Sequence, residues 1–232
     1  MEVQQLSFRY NRKTVLERLT FSIPKGQIIG LIGENGSGKS TLLKLMAGIL
    51  TPTSGTIEMN DEKVTRRQTN KIAYLPDIDL FYEKLKGDEV FAFYQSQFND
   101  FSIDKAKEVA SFLQVPTNMR LGSLSKGNRA RVKLATLLAR NVELYLMDEP
   151  FAGLDPLARE SLVKSIIKFI DTEYCSVVLS THEVNEVEPI LDQVMLLKDG
   201  HLCAMDNVEE IRHERGEDTV KWMKSLYGKR DR

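Results

Sequence analysis

The stretch from Gly33 to Thr41 reads GENGSGKST. It fits the spacing G-x-x-x-x-G-K-[ST], a loop that holds phosphate groups. Gly33, Gly36 and Gly38 let the backbone curl without Cβ clashes, so that successive N–H groups converge on phosphate oxygens. Glu34, Asn35 and Ser37 fill the positions between them. Lys39 is placed to reach the β- and γ-phosphates, and the Ser40 hydroxyl to bind Mg²⁺. Thr41 starts a helix whose free N–H groups and dipole add to the anion site. A plain Gly-rich turn between strand and helix accounts for the glycines. It does not account for Lys39-Ser40 in register between those flanks.

Further polar residues stand at the ends of apolar runs. Leu144 to Met147 (LYLM) reads as a buried strand and leads into Asp148-Glu149-Pro150. An acid in that position can hold Mg²⁺, directly or through water. Strand alternation sends Glu149 to the opposite side of the strand end, where it can polarise an attacking water. The alternative for both is a pair of surface acids. Ser176 to Ser180 (SVVLS) is another buried strand, and His182 beyond it can donate a hydrogen bond to a γ-phosphate oxygen. Lys71 to Pro76 (KIAYLP) places Asp77 just past a strand's carboxyl end, where ligands of open α/β sheets gather. Leu124 to Asn128 (LSKGN) is a polar turn ahead of a helix from about Arg129 to Arg140, with Ser125 as its cap. Such a turn can also bind an anion. Tyr10 can stack on a nucleotide base with Val15 behind it, or cover the sheet as a strand-end aromatic.

The elements that must position these groups follow from periodicity. Met1 to Phe8 predicts an edge strand, and Val15 to Ile23 a half-buried antiparallel one. Gln27 to Ile32 predicts a buried strand and Thr41 to Leu50 a helix. Residues 85–124 have helical patterning and several aromatics, which predicts an insertion of about three helices. Gly153-Leu154-Asp155-Pro156 is a turn before a helix over 157–170. Val184 to Leu191 predicts a short helix. Gln193 to Leu197 and His201 to Met205 predict a hairpin about Lys198-Asp199-Gly200. Two helices close the chain. The last carries Val220, Met223 and Tyr227 on one stripe, with Trp222 and Leu226 beside it. The organisation expected is one domain over 1–232: a β layer and loop-bearing core part over 1–84, a helical subdomain over 85–124, the rest of the core over 125–204, and C-terminal helices over 205–232.

Composition narrows the function classes. Lys and Arg number 32 against 33 Asp and Glu, a net charge of −1, so no global field draws the chain to nucleic acid or anionic lipid. Two cysteines are too few for a disulfide framework and imply a reducing, cytosolic compartment. No apolar run reaches the ~20 residues that span a bilayer. Service to a membrane therefore goes through a partner.

Taken together, the loop, LSKGN, LYLMDEP, AGLD and STH occur in an order that resembles the nucleotide-binding subunit of an ATP-binding-cassette (ABC) transporter, and the resemblance covers nearly the whole chain. It is most similar to the ATPase subunits of bacterial ABC-2-type exporters, whose membrane-spanning subunit is a separate chain. The resemblance implies a P-loop NTPase (RecA-like) α/β core with an antiparallel β subdomain and an inserted α-helical subdomain. It implies ATP as substrate, Mg²⁺ as cofactor and hydrolysis as the reaction. It makes Tyr10 the aromatic that stacks on adenine. Gly33 to Ser40 becomes Walker A, Asp148 Walker B, Glu149 the catalytic glutamate and His182 the switch histidine. Asp77 stands where the family has the Q-loop glutamine that touches Mg²⁺. Ser125, Lys126, Gly127 and Asn128 match the signature motif that contacts the ATP of a partner subunit, and Asp155 matches the D-loop. Lys126 replaces the first signature glycine and Asn128 the glutamine. The partners implied are a transmembrane permease subunit and a second cassette, identical or related. The implied location is cytoplasmic, on the inner face of the cell membrane. A soluble cassette acting in translation or on DNA, or a regulatory cassette with little turnover, is the alternative. One cassette, no zinc-spaced cysteines and no basic patch stand against the soluble class.

Overall fold

A computed structural model describes residues 1–68, 70–78, 83–215 and 218–227. At its centre runs β3 (Ile28–Ile32), every residue of which is buried. β8 (Ser176–Thr181) and β9 (Gln193–Lys198) flank it in parallel. β7 (Leu144–Met147) and β6 (Ile72–Leu75) extend the parallel set, and β10 (His201–Asn207) closes the other edge antiparallel, giving the order β10-β9-β3-β8-β7-β6. These parallel strands are covered on both faces, which is why they read as continuous apolar runs rather than alternating ones. Their carboxyl ends bring Gly33, Asp77, Asp148 and His182 to one side of the sheet.

A second sheet, ordered β2-β1-β4-β5, packs over the loop-bearing part. β1 (Glu2–Tyr10) is not the edge strand its weak alternation suggests: it lies between β2 (Lys13–Ser22) and β4 (Ser54–Met59). The alternation is weak because the strand is bulged. Its register slips between Val3 and Leu6 and again on either side of Phe8, and Gln5 sits at φ 48°. The short β5 (Glu62–Lys63) ends that sheet. Helix α1 (Lys39–Met46) is sandwiched between the two sheets and buries Leu42, Leu43, Leu45 and Met46.

The insertion consists of two helices, α2 (Gly87–Gln97) and α3 (Ile103–Phe112), and a 3₁₀ turn at Leu121–Ser123, rather than three helices. Phe91 and Phe101 are core, whereas Phe93 is 55% exposed. α4 (Lys126–Leu138) starts at Lys126, so LSKGN is a cap and first helical turn rather than a turn ahead of the helix. α5 is Pro156–Phe169. The segment after β8 makes two 3₁₀ turns, Val184–Glu186 and Glu188–Ile190, where a helix was predicted. Pro189 removes a backbone donor there.

α6 (Val208–Arg215) and α7 (Thr219–Tyr227) complete the chain. On α7 the centre of the buried face is Trp222, and Val220 and Met223 of the predicted stripe are only partly buried. Trp222 is fully buried because Asp206 Oδ2, at 2.8 Å, accepts its indole N–H. Val220, Met223 and Leu226 pack partly against the same core, and the side chain of Tyr227 lies outside the described residues.

Candidate active site

The loop between β3 and α1 folds back on itself. Ser37 N–H donates to the Glu34 carbonyl at 3.1 Å, and Gly200, at the tip of the β9–β10 hairpin, donates to the Ser37 carbonyl at 3.1 Å. Gly38 sits at φ 108°, a backbone conformation L side chains rarely adopt, and a Cβ there would come within 2.6 Å of Leu16 Cδ2. Gly33 passes so close to β9 that a Cβ would meet the Leu197 carbonyl oxygen at 2.3 Å. Lys39 is the buried base of the loop. Its ammonium donates to the carbonyls of Gly33 at 2.7 Å and Glu34 at 3.2 Å.

Asp148 leaves the end of β7 buried, with its N–H donated to the Leu75 carbonyl of β6 at 2.8 Å. Its Oδ1 accepts from Ser40 Oγ at 3.0 Å and from Ser180 Oγ at 2.8 Å. Its Oδ2 accepts from the Tyr74 hydroxyl at 3.3 Å. Burial, reinforced by the Asp148 charge, pushes the Tyr74 phenol far above its ordinary pKa and keeps it a donor. Ser40 Oγ and Asp148 Oδ1 form a hard oxygen pair of the kind Mg²⁺ takes alongside water and phosphate. Among the described residues no group of three or more His, Cys, Asp or Glu could hold a metal alone.

Glu149 does not point to the far side of the strand end. Its backbone sits at φ 46°, outside the strand conformation, and its N–H donates to Ser180 Oγ at 2.9 Å. This turn brings its carboxylate to the same crevice as Asp148. Oε1 lies 3.4 Å from the Lys39 ammonium, and Oε2 is 2.9 Å from His182 Nδ1. Oε1 is buried and accepts no hydrogen bond from any described residue. His182 is 44% exposed and faces Glu149 rather than the loop.

A cavity of about 390 Å³ opens over these groups. Tyr10, Val15, Asn35, Gly36 and Gly38 line it, as do Lys39, Ser40, Thr41, Asp77 and Glu149. Gly33, Glu34 and Ser37 do not; they build the loop from behind. Tyr10 stands edge-on to Phe8 at 4.8 Å between ring centroids, and the residue is 46% exposed. Lys13, the first residue of β2, also lines the cavity, and sequence reasoning missed it. Tyr74 and Ser180 were missed as well. Strand alternation alone places both, since each is a hydroxyl on a parallel strand beside β7.

None of Ser125, Lys126, Gly127 and Asn128 lines that cavity. Ser125 Oγ accepts from Asn128 N–H at 3.2 Å and caps α4. The Lys126 ammonium lies over Gly153, where a Cβ would come within 2.4 Å of it. Gly127 has open space: a Cβ there meets nothing closer than 3.9 Å. Asp155 Oδ1 accepts from Ala158 N–H at 2.9 Å and caps α5. Arg159, one turn on, donates to the Leu154 carbonyl and pairs with Glu183 and Glu186, tying this turn to the segment that carries His182.

A separate apolar groove of about 280 Å³ lies between β6 and helices α2 and α4. Ile49, Tyr74, Pro76, Ile78, Tyr94 and Phe98 are among the residues that line it, and Ile78 is 62% exposed. Among the described residues no helix is long and apolar enough to cross a membrane. Cys175 and Cys203 are free thiols.

The family described as ABC transporter matches residues 16–152. The SkfA peptide export ATP-binding protein SkfE of Bacillus subtilis is 30% identical over 97% of this chain and 95% of its own length. A solved ATP-binding subunit of an ABC transporter superposes with a TM-score of 0.83 at 28% identity, over 97% of this chain and 98% of that one. An ATP-binding cassette solved as a dimer in a post-hydrolysis state with ADP and phosphate gives a TM-score of 0.77 at 22% identity, over 89% of this chain and 97% of that one, a likeness of fold.

Proposed function

Because this chain belongs to the ABC transporter family and is an ATP-binding, ATP-hydrolysing subunit, we propose that it energises a membrane exporter through the site around Lys39 and Glu149. One observation carries this reading. The loop from Gly33 to Thr41 sets Lys39 and Ser40 at 3.4 and 3.0 Å from the two acids that end β7. A triphosphate grip and a base for water thus share one crevice.

ATP occupies the cavity with its adenine against Tyr10, Val15 beneath, and its phosphates on the loop N–H groups. Lys39 reaches the β- and γ-phosphates. Ser40, Asp148 and Asp77 would hold Mg²⁺, which when bound neutralises phosphate charge. Glu149 takes a proton from water as the water oxygen bonds the γ-phosphorus. The bond from that phosphorus to the β-bridging oxygen breaks, giving ADP and phosphate. His182 orients the Glu149 carboxylate through Nδ1.

Ser125 to Asn128 stay off the wall of their own nucleotide cavity and complete that of a second cassette, identical or related, docked head to tail. The exposed Ser125 and Lys126 at the start of α4 and the open space at Gly127 support this. The apolar groove seats a helix of a separate transmembrane subunit, which places the chain on the cytoplasmic face of the membrane. The peptide-export relative supports the exporter direction. The test is calorimetric titration with ATP and Mg²⁺, paired with phosphate release and affinity capture from membranes. Saturable binding, turnover and capture of a hydrophobic membrane protein are expected. No binding and no turnover, alone or with that membrane protein, overturns the reading.

A further inference from the structure

Lys133 occupies an odd position. Its neighbours Val132, Leu134 and Ala135 are buried in the core, yet position 133 is a half-buried lysine. One turn before it, Arg129 and Ala130 line a small polar cleft beside Asp148 and Glu149; one turn after it, Thr136 and Leu137 line the apolar groove. Lys133 lines both. Its ammonium donates to three successive carbonyls, those of Pro76 at 2.9 Å, Asp77 at 3.3 Å and Ile78 at 3.2 Å. An ammonium carries three donors, and the chain here has just left β6 and its ladder.

The three residues so gripped face different ways. Ile78 is an exposed wall of the groove, and Asp77 lines the nucleotide cavity with Lys39 and Glu149. Lys133 itself stands on α4, whose first turn is Lys126–Asn128. We propose that Lys133 is a positioning residue that makes the place of Asp77 in the nucleotide cavity depend on the place of α4. This rests on the reading of that cavity as the ATP site. The clamp holds the backbone of Asp77 in line in the unpartnered chain, so turnover by the chain alone depends on it.

The test compares the parent chain with Lys133→Met, which keeps the apolar stem, and Lys133→Arg, which keeps donors. Amide exchange over residues 71–78, ATP binding by calorimetry and steady-state hydrolysis are measured on the same samples. In the methionine variant, exchange at Asp77 and Ile78 is expected to accelerate. Its kcat is expected to fall about tenfold, as for a displaced positioning group, with KM for ATP unchanged. The arginine variant is expected to recover most of the rate. Unchanged exchange and kcat in the methionine variant would overturn the proposal. So would a raised KM at constant kcat, or an arginine variant as impaired as the methionine one. If the methionine variant loses its cooperative unfolding transition, Lys133→Leu, which likewise lacks a donor, is judged by the same criteria. A parent chain that binds no ATP defeats the proposed function. A parent that turns over while its Lys133 variants match it defeats only the clamp.

Discussion

The Lys39 ammonium and the Glu149 carboxylate stand 3.4 Å apart, with side chains 6% and 14% exposed. The lysine belongs to the loop before α1 and the glutamate to the end of β7, so one partly buried contact joins the proposed phosphate-binding group to the proposed base. Little water screens the pair, and removing one member leaves the other short of a partner.

Lys39→Ala removes the ammonium from the loop and strips Glu149 of its cationic neighbour. ATP affinity is expected to fall by about a hundredfold or more, the worth of charge-assisted bonds to phosphate. Calorimetry checks this, and unchanged affinity contradicts the role given to the loop.

Gly127→Ala separates the chain's own packing from what docks on it. The methyl group meets nothing closer than 3.9 Å, so the thermal midpoint is expected to hold. ATP binding by the chain's own loop is expected to persist as well. Hydrolysis should nevertheless fall by about tenfold or more, because a γ-phosphate from the facing cassette must approach that backbone closely. Full activity in this variant removes the signature turn from the second site.

Tyr145 gives a pH prediction. Its hydroxyl donates to the Arg140 carbonyl at 2.6 Å, and burial drives its phenol well above the ordinary 10.0. Below pH 10 the folded and unfolded chains both keep this proton, and it contributes no slope. Above pH 10 the unfolded chain releases it first. Stability then drops by about 1.4 kcal/mol per pH unit from this group as pH rises toward the folded pKa. Tyr145→Phe is expected to flatten that alkaline slope in denaturant titrations at pH 10 to 11. An identical slope contradicts the assignment.

The parallel core was legible because its strands are short apolar runs ending in Gly33, Asp77, Asp148 and His182. The walls of the site were legible from residue type and spacing: Tyr10, Lys39, Ser40 and Glu149 all line one cavity. What escaped depends on backbone irregularity or distant partners. The left-handed turn at Glu149 reversed the side its carboxylate takes. The bulges in β1 disguised a central strand as an edge. Trp222 is buried by virtue of Asp206, which periodicity within α7 cannot reveal. Lys133 lay hidden in a helix pattern, since its carbonyl partners belong to a loop far away in sequence.

The most direct measurement is phosphate release by Glu149→Gln in the presence of ATP and Mg²⁺, with oligomeric state followed on the same sample. The amide is nearly isosteric and still reaches His182, but it cannot take the proton of the attacking water. The account predicts ATP affinity close to that of the parent, a dimer that outlasts the parent's, and kcat lower by about 10²–10⁴-fold. Phosphate release near the parent rate would contradict it, because the carboxylate that ends β7 would then not be the base.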